Sequence, residues 1–190
     1  MPPRSKYSRA EIELAALELA RSKGIEAVTA RSLGEALGTS AKPIFGQFDG
    51  MEEVRLAVVR RAEALYHQMT QELVESHQYP VYKSTGMAYI RFAREEPALF
   101  RLLFMCDRSE QPHHEASAPD MEQLIRVIQG ATGFSAEQAY RFHLEVWIYV
   151  HGVATMLATA YLNWDDDFIS RSLTDVFEGL KLRFAQEAIG

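Results

Sequence analysis

The sequence predicts an all-α protein with a small helix-turn-helix head on a larger helical body. Three observations carry that expectation. Apolar residues recur at helical spacing along the chain, and no run shows the sustained period-two alternation, bounded by Asn-Gly or Asp-Gly turns, that marks hairpin strands. Capping boxes at Ser8–Glu11, Asp49–Glu52 and Ser135–Gln138 mark helix starts. Residues 24–54, GIEAVTARSLGEALGTSAKPIFGQFDGMEEV, read as two short helices joined by a tight turn, then a second turn into a longer helix.

The elements follow in order. After the Ser8 box, Ile12, Ala15, Ala16, Leu19 and Ala20 line one face of a first helix, and Gly24 suits the left-handed position that ends it. Thr29 caps a second helix with Leu33, Ala36 and Leu37 facing inward, closed by Gly38. Ser40 caps a third, with Pro43 in its first turn, where a missing N–H costs little, and Ile44 and Phe48 as an i, i+4 apolar pair. The Asp49 box opens a long helix on Val54, Val58, Leu65 and Met69 that stops before Tyr79-Pro80. A helix over 81–94, one starting at Pro97, a polar loop over 107–119, and a helix on Met121, Leu124, Ile125 and Ile128 come next. The Ser135 box opens a long helix to about Leu162, and Asp165, Asp166 and Asp167 favour the start of a last one. About nine helices result.

Composition bounds the class. Of 190 residues, 47% are hydrophobic and 24% charged, as in a globular protein with a real core. The net charge is −6, but residues 1–62 hold 10 Lys+Arg against 8 Asp+Glu, a balance of +2, and the remaining residues carry −8. That asymmetry fits a nucleic-acid-facing head on an acidic body. The single cysteine, Cys106, in LLFMC, excludes an internal disulfide and reads as a small buried hydrophobe. The segment MPPRSKYSRAE has no apolar signal core, so a cytoplasmic protein is expected. Val146–Leu162 is nearly long enough to span a bilayer, but His151, Gly152 and two threonines favour burial in protein.

A helix-turn-helix reads DNA by bracing one helix on the phosphates while the next enters the major groove. Ser40, Ala41, Lys42 and Pro43 fall at the groove-facing start of the third helix, with Phe45 and Gln47 one turn on. Phe45 and Phe48 read as packing residues. Ala41 and Pro43 offer only apolar contact, for instance to a thymine methyl.

These residues carry a resemblance. Gly24, Val28-Thr29, Leu33-Gly34, Ala36-Leu37-Gly38, Ile44-Phe45 and Phe48 resemble the DNA-binding domain of the TetR family of bacterial transcriptional regulators, over about residues 8–60. The resemblance implies DNA contacts from Thr29 and Ala30, from Ser40, Ala41, Lys42, Pro43, Phe45 and Gln47, and from a tail with Arg4, Lys6 and Arg9. The chain departs from the family at Phe45, where Tyr is usual, at Gln47, where His is usual, and at Met51, where Lys is usual. Phe45 and Met51 remove two phosphate contacts, which lowers affinity and flattens its salt dependence.

The resemblance also implies an effector pocket in the body. Its candidates are Tyr89, Phe92, Phe100, Phe104, Met121, Tyr140, His143, Trp147 and His151. His143, Trp147 and His151 share one helix face, with the histidines too far apart for a simple metal site, and His113-His114-Glu115 reads as solvated loop. No cofactor or metal is expected, and no catalytic motif is present that would make the chain an enzyme. The last two helices carry more apolar surface than one hairpin hides. Val146, Val150, Val153 and Leu157, with Leu173, Val176, Phe177, Leu180 and Phe184, are the expected homodimer interface.

The expected protein is a homodimeric TetR-like repressor with a DNA-reading head over 1–52 and an effector-binding, dimerising body over 53–190. Its heads would meet a pseudo-palindromic operator on double-stranded DNA about 34–36 Å apart, and an unknown small-molecule effector would release it. A TetR-shaped ligand- or protein-binding module with weakened DNA binding is the alternative from Phe45 and Met51. A helical membrane or enzyme subunit would rest on Val146–Leu162 alone.

Overall fold

The computed structural model describes residues 7–106 and 118–187. Arg4, Lys6 and the His113-His114-Glu115 triplet lie outside the described residues. The helices are α1 (Arg9–Lys23), α2 (Ala30–Ala36), α3 (Met51–Glu75), α4 (Val81–Glu95), α5 (Pro97–Phe104), α6 (Ala118–Thr132), α7 (Ala136–Ala158) and α8 (Asp166–Glu187), with a 3₁₀ turn at Ile25–Ala27. The described residues are thus all-α, with eight helices and no strand, as expected of the fold class. None of these helices is long and apolar enough to cross a membrane.

The element not seen as a helix is the third one of the head. Residues 42–47 wind as consecutive turns. Ile44, Gly46 and Gln47 donate to the carbonyls of Ala41, Pro43 and Ile44, each three residues back, at 3.0, 3.3 and 3.0 Å. Gly46 contributes, since it costs about 1 kcal/mol relative to Ala in a helix, and a segment this short has few hydrogen bonds with which to offset that.

The chain divides into two compact units, Met1–Gln68 with Glu96–Cys106, and Met69–Glu95 with Asp107–Gly190. In the first, Ile12, Ala16, Val28, Leu33, Ile44, Val54, Val58, Leu99 and Phe100 are fully or almost fully buried. Ser8 caps α1 in a complete capping box with Glu11, and Thr29 caps α2 in one with Ser32. Gly24 ends α1 with φ 84° and ψ 164°, a glycine-only region beyond the left-handed helical conformation expected there. At the end of α2, Thr39 donates to Gly34 and Gly38 to Glu35, with Gly38 at φ 62°. This is a Schellman closure that needs the glycine. A Cβ on Gly34 would sit 3.0 Å from the Thr39 carbonyl oxygen, so the turn folds back tightly on α2.

Of the box expected at Asp49–Glu52, the half that forms goes to Glu53 rather than Glu52. The helix begins at Met51, and the Asp49 N–H donates 2.7 Å to Glu53. Residue 53 is the third of the helix, the position from which a carboxylate reaches back.

In the second unit α4 packs on α7, and α6 and α8 flank α7. Met87, Tyr89, Phe92, Ile128, Phe142, Val146, Val150 and Ile169 are buried. Phe134, Phe142, Phe177 and Phe184 form an edge-to-face and tilted ring cluster with centroids 5.1–5.8 Å apart. Ser135 caps α7 in a complete box with Gln138, and Asp165 accepts the Phe168 N–H at 2.7 Å to open α8.

Helix α7 stops at Ala158, short of the expected Leu162. Tyr161 donates to Met156 and Ala160 to Leu157, and Ala160 sits at φ 54°. This is again a Schellman closure, with alanine where glycine is usual, so no glycine signals it in the sequence. A left-handed L-residue costs about 1–2 kcal/mol, part of which glycine returns as lost chain entropy. Ala160→Gly is expected to stabilise the protein by about 0.5–1 kcal/mol, measured as a rise in urea midpoint at unchanged m-value.

Candidate nucleic-acid interface and effector site

The first unit holds the reading turn by a junction on Arg9. Its guanidinium donates to Glu13 at 3.1 Å, to Glu53 at 2.7 Å and to the Gln47 carbonyl at 3.0 Å. The same group lies 4.2 Å from the Phe48 ring centroid. Glu53 also accepts the Asp49 N–H, and that bond first, then Arg9, holds its carboxyl below the usual range. The bond to Glu53 in turn raises the Arg9 pKa above its ordinary value. Arg61 reaches Glu13 at 2.9 Å, and the Tyr7 hydroxyl donates to the Leu37 carbonyl. The start of α1 is thereby tied to the end of α2, to both ends of the 47–53 segment and to α3.

Most of the head's candidate residues gather on and around that turn. Ser40, Lys42 and Phe45 are exposed, while Ala41, Pro43 and Gln47 are half-buried. Phe45 is 52% exposed, whereas Ile44 and Phe48 are buried. The sequence left Phe45 both a packing residue and a groove-facing candidate; the winding of the turn separates it from its buried neighbours. Thr29 is exposed at the α2 cap, its hydroxyl oxygen 3.2 Å from the Ser32 N–H, and Ala30 is half-buried beside it. Met51 opens α3 without a charge.

The effector candidates are divided between the two units. Phe100 and Phe104 meet at a tilt, centroids 5.3 Å apart, in the first unit, where Tyr66 meets Phe104 edge-on at 5.3 Å. In the second unit, Tyr89 and His151 share a 2.8 Å hydrogen bond, and Trp147 stacks on His151 at 5.0 Å. A parallel pair joins Tyr82 to His143 at 3.1 Å. Tyr82, seven residues before Tyr89, went unnoticed in the sequence. The matching spacing gains meaning once α4 and α7 lie side by side and run in the same direction. Burial raises the Tyr82 pKa and lowers those of His143 and His151. Phe92 is fully buried and Tyr140 half-buried.

Two surface grooves lie in this unit. Met121 lines one of about 330 Å³ with Ile125, Arg126, Gln129 and Ala136. The other, about 320 Å³, is lined by Lys83, Phe168, Ser170, Arg171, Ser172 and Asp175 among others. Lys83 donates 2.8 Å to Thr174 there, and Tyr149 donates 2.9 Å to Ser172. No group of three or more His, Cys, Asp or Glu side chains among the described residues is placed to hold a metal.

Of the residues expected at a dimer interface, Val146, Val150, Val153, Leu157, Leu173 and Phe184 are buried within the protomer, and Val176, Phe177 and Leu180 half-buried. The apolar side chains that remain exposed on these helices are Leu144, Trp147 and Ile148 on α7, and Phe168 and Leu182 on α8. Cys106, expected buried, is exposed.

Helices, caps and reading turn define a helix-turn-helix regulator with a helical body. Residues 13–58 match the family described as bacterial regulatory proteins, tetR family, and residues 83–180 match the tetracyclin repressor-like C-terminal domain. The chain belongs to the TetR family of transcriptional regulators. It is 23% identical over 183 residues, covering 95% of this chain and 81% of the relative, to an uncharacterized HTH-type transcriptional regulator of Mycobacterium tuberculosis.

Two outcomes test this geometry. Arg9→Met is expected to weaken DNA binding without changing its salt slope, because the Arg9 charge is spent inside the head; binding isotherms at several salt concentrations, beside a thermal melt, check it. For His143, the folded pKa lies below the ordinary value of 6.5. The unfolded chain therefore binds the extra proton first, and stability is lost as pH falls from about 6.5 toward the folded pKa, by at most about 1.4 kcal/mol per pH unit. His143→Gln should flatten that slope in urea melts taken between pH 7 and pH 5.

Proposed function

We propose that this regulator is a homodimeric repressor that reads a pseudo-palindromic operator and is released by a small-molecule effector. The observation that carries the reading is the turn at 42–47, held from behind by Arg9 and presenting Lys42 and Phe45 outward. Residues 1–52 supply the DNA contacts, among them Thr29, Lys42 and Gln47, with Arg4 and Lys6 as a tail along the backbone. Residues 53–190 supply response and dimerisation. The exposed Leu144, Trp147, Ile148 and Leu182 extend the apolar surface of α7 and α8, and a second copy covers them. The tyrosine–histidine pairs between α4 and α7 give an effector polar partners inside an apolar body.

Met51, uncharged where the family usually has Lys, favours a second reading: a TetR-shaped binding module with weakened DNA contact. DNA enriched from random duplexes by the purified protein decides between them. The repressor reading expects an inverted repeat bound with a steep salt slope, and Lys42→Ala should lower that slope by about 1. Ile148→Glu with Leu182→Glu should shift the protein to monomer in light scattering and weaken binding to the full repeat far more than to a half-site. Absence of any enriched duplex leaves the second reading standing.

A further inference from the structure

We propose that the groove between Lys83 of α4 and the first turns of α8 binds a compact hydroxy-carboxylate. The groove is lined by neither tyrosine–histidine pair, and the proposal stands without the DNA reading of the head.

An uncompensated charge carries the argument. Lys83 is half-buried, and its ammonium donates 2.8 Å to the Thr174 hydroxyl oxygen. That hydroxyl gives its own proton to the Ser170 carbonyl at 3.1 Å, so it takes the Lys83 bond on a lone pair. The Tyr79 ring centroid lies 5.0 Å from the same ammonium. Both partners are neutral. No carboxylate among the described residues lies within ion-pair distance of Lys83. Burial lowers its pKa, the mark of a cation that has shed water without gaining a counter-charge. An anion in the groove supplies that counter-charge, and the ammonium, with three donors, has N–H groups left to meet it.

The other lining residues select the anion. The groove holds about 320 Å³, the small end of the range for ligand sites, so its occupant is compact. Arg171 lines it, exposed and also without an ion pair among the described residues. Its planar fork of donors suits the paired oxygens of a carboxylate. Asp175 lines the same groove and can only accept. It favours an anion that brings a hydroxyl of its own. Two cations against one carboxylate match a single negative charge on the ligand. A phosphate monoester carries nearly a second charge, which Asp175 repels. The exposed Phe168 ring adds an apolar wall. Ser172 takes no part, because it accepts from Tyr149 and donates to the Ile169 carbonyl.

Titration calorimetry on the full-length protein at low salt tests this with mandelate as the probe. Phenylacetate, which lacks the hydroxyl, and benzyl alcohol, which lacks the carboxylate, serve as comparisons. The wild type is expected to bind mandelate in the millimolar range or tighter, phenylacetate several-fold more weakly, and benzyl alcohol not at all. Lys83→Met and Arg171→Gln are each expected to lose about tenfold, the usual worth of one charged hydrogen bond. Lys83→Arg should keep part of the binding, and a thermal melt of each variant checks that it is folded. Asp175→Ala is expected to bind the two acids alike. Absence of mandelate binding, undiminished binding in Lys83→Met, or benzyl alcohol bound as tightly as mandelate overturns the inference. Equal binding of mandelate and phenylacetate by the wild type overturns the hydroxy-acid class. The titrations contain no DNA, so a protein that enriches no duplex and still binds mandelate keeps this site while losing the repressor reading.

Discussion

The head depends on one guanidinium. Arg9 stands at the first residue of α1, yet its contacts define the far end of the head: the Gln47 carbonyl, the Phe48 ring and Glu53 on α3. A planar fork of donors suits this task because it can meet two carboxylates and a carbonyl while its face lies on an aromatic ring. A lysine would offer one point of charge and no such face. Glu13 links the same group to Arg61, so α1 and α3 are fixed together. Each bond is exposed enough to be weak singly. Sharing one side chain lets them hold α1, the 47–48 segment and α3 with the ordering of a single group.

That constraint matters because the reading turn cannot hold itself. Gly46 weakens the support that a regular helix would give it, and its hydrogen bonds are the short-span kind. Its shape comes from outside: the Ile44 and Phe48 anchors below, the α2 closure at Gly38, and the close approach of the chain to Gly34. A turn so held presents Lys42 and Phe45 on a fixed row. The trade is local helical order for a chosen direction of two side chains.

Much of the fold was legible because capping is local chemistry. Ser8, Thr29 and Ser135 each bond an amide three residues on, and their sequences declare it. The positive balance of the head, the Gly38 closure and the helix at Pro97 were equally plain. What stayed hidden depended on partners or on accumulated small costs. The half-box at Asp49 goes to Glu53 because the helix start moved by one residue. The Ala160 closure lacks its usual glycine. Phe45 lies between two buried apolar residues in sequence, and spacing for an α-helix does not predict a turn wound more tightly. On α7, which is apolar on most sides, the strongest stripe became the protomer's own core, and the weaker one, through Trp147 and Ile148, stayed exposed.

The two sides of α7 meet at His151. On the inner side its Nδ1 is bonded to Tyr89 of α4, which is almost fully buried. On the outer side its ring lies nearly flat on Trp147, which is 43% exposed. The Tyr89 bond fixes one ring nitrogen of His151 from the inside, and the Trp147 face adds an aromatic contact from the outside. The eight-residue step from His143 to His151 places the two histidines two turns apart on the side of α7 that meets α4, and the one farther along α7 carries the tryptophan.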